Sequence, residues 1–305
     1  MESEDDYAAL IERAANEGEF MSTERGGYVR WSAGDGVEVW AQIDKDNQLI
    51  GGNLHYVGES QVRLGVTGLI ESNESDVSLY GWMEPGEDDI ESGAYPLVCD
   101  VPAYYLRPTP LELPQVVTAQ ITAFAHDLTY YPDEATFSAA QDNDPKFAPN
   151  FFIPTGLFIG GSEDGEAEED GEEGALPGTP GALEVEGIEL FVPGNVAEDA
   201  EEGETLSEGV EITEGEVPQP YAMFAGTVKA ARLERNPETE LEFWVLRVET
   251  FSATLDVVAA PESVQEAAAE SDFPGETSTS ETTPQVGGIV SGTFYLSAHL
   301  LDLAL

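Results

Sequence analysis

The chain has 305 residues, of which 61 are acidic and 11 basic, and its formal net charge is −50. Proteins bind nucleic acid largely through Lys and Arg side chains that displace counterions, so this balance argues against a nucleic-acid partner. It argues equally against docking on anionic lipid. Apolar residues make up 41% of the chain, which is enough for a core and excludes wholesale disorder.

The excess of acids extends along the whole chain. Residues 147–228 hold 20 acids and no Lys or Arg, and removing them leaves 41 acids and 11 bases, a net charge of −30 on 223 residues. With only three lysines, the composition resembles that of proteins from salt-accumulating halophiles. In 1 M salt the Debye length is about 3 Å, which screens self-repulsion. A local acid tract on an ordinary protein is the alternative.

The first six residues are acidic and lack the features of a secretory signal. No run of 18 apolar residues occurs, and Cys99 is the only cysteine, so we expect no membrane span and no internal disulfide. These features predict a cytoplasmic protein without a membrane partner.

Residues 1–110 are predicted to form one helix and a β-rich domain. Tyr7, Leu10, Ile11 and Ala14 recur at helical spacing within residues 5–17. Six stretches rich in Val, Tyr and Trp, separated by Gly, Asn, Asp and Pro, then predict strands of a sandwich or barrel. They are 28–32, 37–44, 49–57, 61–70, 77–83 and 95–101.

Residues 111–160 are predicted to form a short helical connector. Pro114, followed by apolar residues to Ala125, predicts a first helix, and residues 132–141 predict a second. Residues 161–217 are acidic and of low complexity, which predicts a solvated linker with one possible strand at 182–192.

Residues 218–305 are predicted to form a small barrel. Strands are expected at 221–235, 241–250 and 252–259, then a helix at 261–270 and one or two strands within 286–301. This order resembles the OB-fold, a five-stranded Greek-key barrel. The stretches that carry the resemblance are Phe224–Lys229, Glu249–Val258 and Val286–Gly292. The predicted fold class is therefore mainly β (α+β).

Further stretches resemble a bacterial protein family of unknown function, and no activity follows from that resemblance. They are Trp40–Asp44, Ala123–His126 and Ile153–Phe158, together with the C-terminal segment.

Motifs for common chemistries are missing. The sequence contains no phosphate-binding GxxxxGK[ST] loop, no GxGxxG and no GxSxG, and its histidines form no HxH or HxxxH pair. We therefore predict no cofactor and no metal site. His126 followed by Asp127 could serve a hydrolase, because a carboxylate can orient an imidazole. The alternative is a histidine at a helix end, favoured by the helix dipole.

One stretch differs electrostatically from the rest. Every basic residue after Lys146 lies between positions 229 and 247, together with Trp244. These residues could form a small anion- or base-stacking groove on the face of the C-terminal barrel, and the alternative, which we favour, is cross-strand salt bridges between the first two strands of that barrel. Its candidate ligand-binding residues are Lys229, Arg235, Trp244, Arg247 and Tyr295.

The leading functional hypothesis is a non-enzymatic β-rich binding or assembly protein with a highly acidic surface. A protein or small ligand is the expected partner. A hydrolase that uses carboxylates, with or without His126, in a cleft of the N-terminal region is the first alternative. An acidic protein-interaction protein or nucleic-acid mimic is the second.

Overall fold

A computed structural model describes residues 4–71, 77–87, 90, 93, 95–141, 147–154, 183–185, 188–190, 218–251, 253–267 and 283–301. The fold is mainly β, which confirms the predicted class. The described α-helices are α1 (Glu4–Glu17) and α2 (Glu134–Ala140). The acidic stretch 161–217 lies outside the described residues except for β10 and β11, which pair as a short hairpin.

The described strands are β1 (Glu19–Thr23), β2 (Gly26–Gly34), β3 (Val37–Ile43), β4 (Leu49–Tyr56), β5 (Val62–Glu71), β6 (Val77–Met83), β7 (Tyr95–Asp100), β8 (Gln115–Tyr131), β9 (Phe152–Ile153), β10 (Leu183–Val185), β11 (Ile188–Leu190), β12 (Tyr221–Arg235), β13 (Glu242–Glu249), β14 (Thr254–Ala259), β15 (Val264–Glu266) and β16 (Ile289–Leu300).

The N-terminal unit is an antiparallel sheet in the order β1-β2-β3-β4, with α1 packed on one face. The predicted helix is confirmed, and its apolar side buries Ile11 and Ala14 against Val29 and Trp31. In the turn between β3 and β4, a carboxylate oxygen of Asp44 accepts hydrogen bonds from two following backbone N–H groups at 2.8 Å each. This side-chain cap is typical of tight turns.

The remaining long strands form one large sheet that closes into two rings. The first ring runs β5-β6-β7-β16-β8 and returns to β5, with β7 and β16 parallel through the pair Asp100 and Ser297. The second ring runs β12-β13-β14-β8-β16 and returns to β12, with β14 and β8 parallel. The antiparallel ribbon of β8 and β16 belongs to both rings.

The two rings repeat one topology. In each half of the chain a three-strand meander precedes a long strand, namely β5-β6-β7 before β8 and β12-β13-β14 before β16. The parallel contact that closes each ring is made by the long strand of the other half, so the two halves exchange strands. The buried side chains of both rings form one continuous core.

The prediction of a helix within 114–125 is wrong, because this stretch belongs to strand β8. Val117, Ala119, Ile121 and Ala123 alternate into the core, which is the period of a strand. The apolar spacing also fitted a helix, but β-branched residues favour a strand here. The second predicted helix is confirmed as α2, whose first turn is capped by the Asp133 carboxylate at 2.8 Å from the Thr136 nitrogen.

The prediction of a helix at 261–270 is also wrong over its described part. A 3-10 turn at Pro261–Ser263 leads into β15, which pairs with β8 in parallel. Val264 is buried opposite Leu128. This segment pairs as a strand with the edge of β8 at residues 128–130, and the pairing satisfies backbone hydrogen-bonding groups of both strands. In the C-terminal segment, β16 is a single strand.

Candidate functional site

An open groove lies where the ends of the two meanders meet. Its volume is about 590 Å³, within the size range of small-molecule sites, which is roughly 300–1,000 Å³. Its lining is dominated by amide, hydroxyl and carboxylate side chains. The lining residues are Gln61, Glu84, Pro149, Asn150, Thr227, Glu249, Thr250, Phe251, Ala253 and Thr254.

The two glutamates of the groove hold equivalent positions in the repeated topology. Glu84 follows β6 and Glu249 ends β13, so each lies at the end of the second strand of its meander. Each faces a base on the first strand of the same meander, with Arg63 Nη1 3.9 Å from Glu84 and Lys229 Nζ 2.5 Å from Glu249. The carboxylate charges of the groove are thereby offset, in contrast to the acidic chain as a whole.

Phe251 projects from a tight turn into this groove. Its side chain is 61% exposed, although burying a phenylalanine stabilises a fold by about 1.5–3 kcal/mol. The backbone beside this ring is anchored, since the Phe251 N–H donates to the Asn150 carbonyl and the Thr250 N–H to the Ala253 carbonyl, both at 2.8 Å. The ring stands edge-on to that of Tyr95 at 5.7 Å. The structure therefore presents an aromatic ring, at a fixed position, to whatever occupies the groove.

The five predicted ligand residues do not converge on one surface. Trp244 points into the core, whereas Arg247, an odd number of positions along β13, lies on the opposite face. The guanidinium of Arg247 is 2.7 Å from the Glu59 carboxylate and 3.7 Å from that of Asp256. The Tyr295 hydroxyl donates to Asp100 at 2.5 Å, away from these groups.

Lys229 and Arg235 are also paired with carboxylates. Lys229 meets Glu249 at the rim of the groove, and Arg235 lies 3.6 Å from Glu240 across the β12–β13 turn. Each of these bases is engaged by a carboxylate, and the Lys229–Glu249 pair is of the kind considered as the alternative, a salt bridge between the first two strands of the C-terminal segment. A ligand-binding role for these residues stays a prediction of the sequence.

His126 lies on an exposed bulge of β8 rather than at a helix end. Asp127 pairs with Thr293 and Ala125 with Phe294, which are consecutive residues of β16. His126 therefore has no opposite residue on β16 and forms the bulge. The His126 ring packs against Tyr221 at 5.5 Å, while the Asp127 carboxylate accepts from the Thr293 N–H at 2.7 Å. Asp127 is thus engaged with β16, and the structure holds His126 on the surface outside the groove.

A buried polar network joins the N-terminal sheet to the shared ribbon. His55 on β4 accepts a hydrogen bond from the Ser297 hydroxyl through Nδ1 at 2.9 Å. Its Nε2–H donates to the side-chain Oε1 of Gln120 at 2.8 Å. Gln120 in turn donates to the Asp256 carboxylate at 3.2 Å. Burial lowers the pKa of His55 to about 3, so its ring is neutral. Ser297 is fully buried, and this serine–histidine pair joins the N-terminal sheet to the shared ribbon.

The groove was not predictable from sequence patterns. Its residues come from 61–84, 149–150 and 227–254, which only the ring closure brings together. Phe251 falls in a turn after a strand, where alternation no longer indicates which side chains are exposed. Over the described ranges, no set of three or more His, Cys, Asp and Glu side chains is arranged to hold a metal ion.

No protein-family model, curated protein or solved structure matches this chain. The structure shows a β-rich protein in which two rings of strands exchange their long strands. Among the helices of the described residues, none is long and apolar enough to cross a membrane.

Proposed function

We propose that the protein is a non-enzymatic binding protein whose groove takes a neutral polyhydroxylated ligand of the oligosaccharide class. The observation that carries this proposal is the exposed Phe251 ring within a groove of amide and hydroxyl side chains. A sugar ring has an apolar C–H face that stacks on an aromatic ring, which supplies a large contact area. Its hydroxyl groups both donate and accept hydrogen bonds, as do those amides and hydroxyls.

Charge supports a neutral ligand over a phosphorylated one. The two bases nearest the groove, Arg63 and Lys229, are already engaged by Glu84 and Glu249. A phosphate would have to compete with these carboxylates in a chain of net charge −50. A sugar hydroxyl can instead donate to a paired carboxylate, which retains acceptor capacity.

We further propose that each ring is an OB-like barrel. In both, a three-strand meander is closed by an antiparallel pair, and one of the closing contacts is parallel. This plan agrees with a five-stranded Greek-key barrel, a fold that often binds oligosaccharides and oligonucleotides. Fold alone does not specify function, so the choice between these two ligand classes rests on the groove and its charges.

The proposed setting is a salt-rich cytoplasm. The excess of acidic residues supports the proposed high salt concentration, because high ionic strength screens the repulsion between carboxylates. A single thiol, Cys99, buried in the core, is compatible with a reducing compartment.

A glycan array followed by titration calorimetry tests the groove. We expect the wild-type protein to bind a neutral oligosaccharide and Phe251→Ala to bind it at least tenfold more weakly, because stacking on the ring is lost. Leu241→Ala is the matched control, since Leu241 is 65% exposed on the distant β12–β13 turn. The proposal fails if no neutral glycan binds in molar salt, or if the two variants bind equally well.

A glycoside hydrolase is the second candidate, because two carboxylates, Glu84 and Glu249, line the same groove. Such enzymes work with a pair of carboxyl groups that flank the scissile bond. Recovery of the bound oligosaccharide intact after prolonged incubation supports the binding protein. Cleavage that Glu84→Gln and Glu249→Gln each abolish would favour the enzyme.

A further inference from the structure

A second, much smaller cavity lies at the seam between the N-terminal sheet and the first ring. We call it the seam cavity. Its volume is about 20 Å³, and a single bound water needs about 10–15 Å³ on this scale. The residues that line it are Glu38, Trp40, His55, Val101, Pro102, Ala103, Tyr104, Arg107, Ala298, His299 and Leu300.

Arg107 lines this cavity and carries unsatisfied hydrogen-bond donors. It follows the 3-10 helix Tyr104–Leu106, and its backbone N–H closes that turn on the Tyr104 carbonyl at 3.3 Å. Its Nε and Nη1 atoms are buried, and no described residue accepts a hydrogen bond from them. Nη2 makes a long contact of 3.5 Å to the Thr109 carbonyl, and the guanidinium lies over the Tyr104 ring at 5.7 Å from its centre. Burying the N–H groups of a cation without acceptors is costly, which points to a missing acceptor.

Arg107 also differs from the other described basic residues. Eight of the ten have a carboxylate within 4.0 Å; they are Arg13, Arg25, Arg30, Arg63, Lys229, Arg232, Arg235 and Arg247. The other unpaired base, Lys45, is exposed in the turn between β3 and β4, where water solvates it. In so acidic a chain, a half-buried arginine with no carboxylate within 4.0 Å among the described residues is unusual, and it points to a counter-charge that these residues do not supply.

The other polar groups of the seam cavity set the charge and size of that counter-ion. Burial lowers the pKa of His299, so its ring is neutral and offers an N–H donor near neutral pH. The Glu38 carboxylate accepts from Trp40 Nε1 at 3.0 Å and lies 3.7 Å from Arg30 Nη1, which offsets its charge. One guanidinium beside one partly offset carboxylate favours a monovalent anion over a divalent one.

We propose that the seam cavity is a binding site for a small monovalent anion of the halide class, held by the guanidinium of Arg107. The cavity admits an ion of about the size of a water molecule and excludes bulky organic anions. The bound anion would complete the seam by supplying the acceptor that the surrounding residues do not provide. High intracellular salt would keep even a weak site occupied, because occupancy depends on the concentration of free ligand relative to Kd.

Crystals of the wild-type protein grown in sodium bromide provide the direct test. We expect an anomalous bromide peak in the seam cavity, within hydrogen-bonding distance of the Arg107 guanidinium. Density there without an anomalous signal would show a water molecule in the cavity and would overturn the proposal. This experiment requires no variant, so it stands even if substitutions at Arg107 prevent folding.

Chloride-35 line broadening tests the site in solution. We expect the wild-type protein to broaden the chloride resonance, bromide to reverse this, and Arg107→Met to lose at least tenfold in chloride affinity. Lys45→Gln, which removes the other unpaired base, should behave like wild type. Equal broadening by Arg107→Met and wild type would refute the site. Glycan binding at Phe251 is measured separately, so either proposal can fail alone.

Discussion

At the residue scale, His55 shows how a buried histidine can fix two units of structure together. Both of its ring nitrogens are used, one by Ser297 and one by Gln120, and the ring meets that of His299 edge-on at 5.6 Å. Protonation would put a second N–H where the Ser297 hydroxyl now donates, within a buried site that does not solvate charge. The neutral form is therefore the one that the folded state requires.

This requirement predicts acid sensitivity of the folded state. The unfolded histidine binds a proton below about pH 6.5, whereas folded His55 does so only near pH 3, so the free energy of unfolding falls as pH drops through that window. At pH 5 the loss from this residue is about 2 kcal/mol. Urea titrations from pH 7 to 4.5 measure it. His55→Gln should show a shallower pH slope than wild type, and His126→Gln, which replaces an exposed histidine, is the matched control. Parallel slopes for all three proteins would contradict the role assigned to His55.

At the element scale, most strands were predictable and their partners were not. All six predicted N-terminal strands, from 28–32 to 95–101, are present as β2 to β7, and alternation and turn residues were enough to predict them, whereas β8 satisfied two periodicities at once. The pairing of β8 with β16, over twelve residue pairs, shows that this stretch is a strand and not a helix. The repeated topology leaves no repeated motif in the sequence, because a ring needs alternation and length in each strand, not particular residues. The groove forms only when the rings close, so its lining residues could not be predicted from the sequence either.

The β12–β13 hairpin is an element whose packing can be tested on its own. Its turn reaches the N-terminal unit, where Arg13 Nη2 lies 2.9 Å from the Glu238 carboxylate. A methyl group at Gly34 would lie 2.4 Å from Pro237 Cγ, and the φ angle of Gly34 is 85°. We expect Gly34→Ala to combine backbone strain of about 1 kcal/mol with displacement of the hairpin.

Gly287→Ala is the matched control for that substitution. Gly287 has a φ of 92°, yet a methyl group there would meet nothing within 4 Å. Thermal denaturation should therefore show a larger loss of stability for Gly34→Ala, with the difference between the variants, about 1–3 kcal/mol, reporting the collision with the hairpin. Equal losses would mean that the hairpin contact contributes nothing to stability.

At the scale of the whole molecule, the exchanged strands join the halves of the chain into one body. Neither ring closes without the long strand of the other half, and the core runs through both. The fold must therefore hold residues 62–131 and 221–300 together against a net charge of −50. Salt bridges are few compared with the acids, so repulsion between carboxylates outweighs the attraction that salt would weaken.

This balance predicts that salt stabilises the protein. Below about 0.1 M salt the Debye length exceeds 10 Å, and repulsion then acts between carboxylates across the surface. The midpoint of thermal unfolding should rise from dilute buffer to molar salt. Sodium gluconate should give most of this rise, because screening does not depend on the anion, and sodium chloride should add only the smaller effect of filling the seam cavity. Four exposed glutamates without an ion pair, Glu24, Glu112, Glu242 and Glu262, allow a control. Changing all four to Gln should raise stability most in dilute buffer and so flatten the curve. A wild-type midpoint independent of salt would mean that the carboxylates lie too far apart to oppose folding.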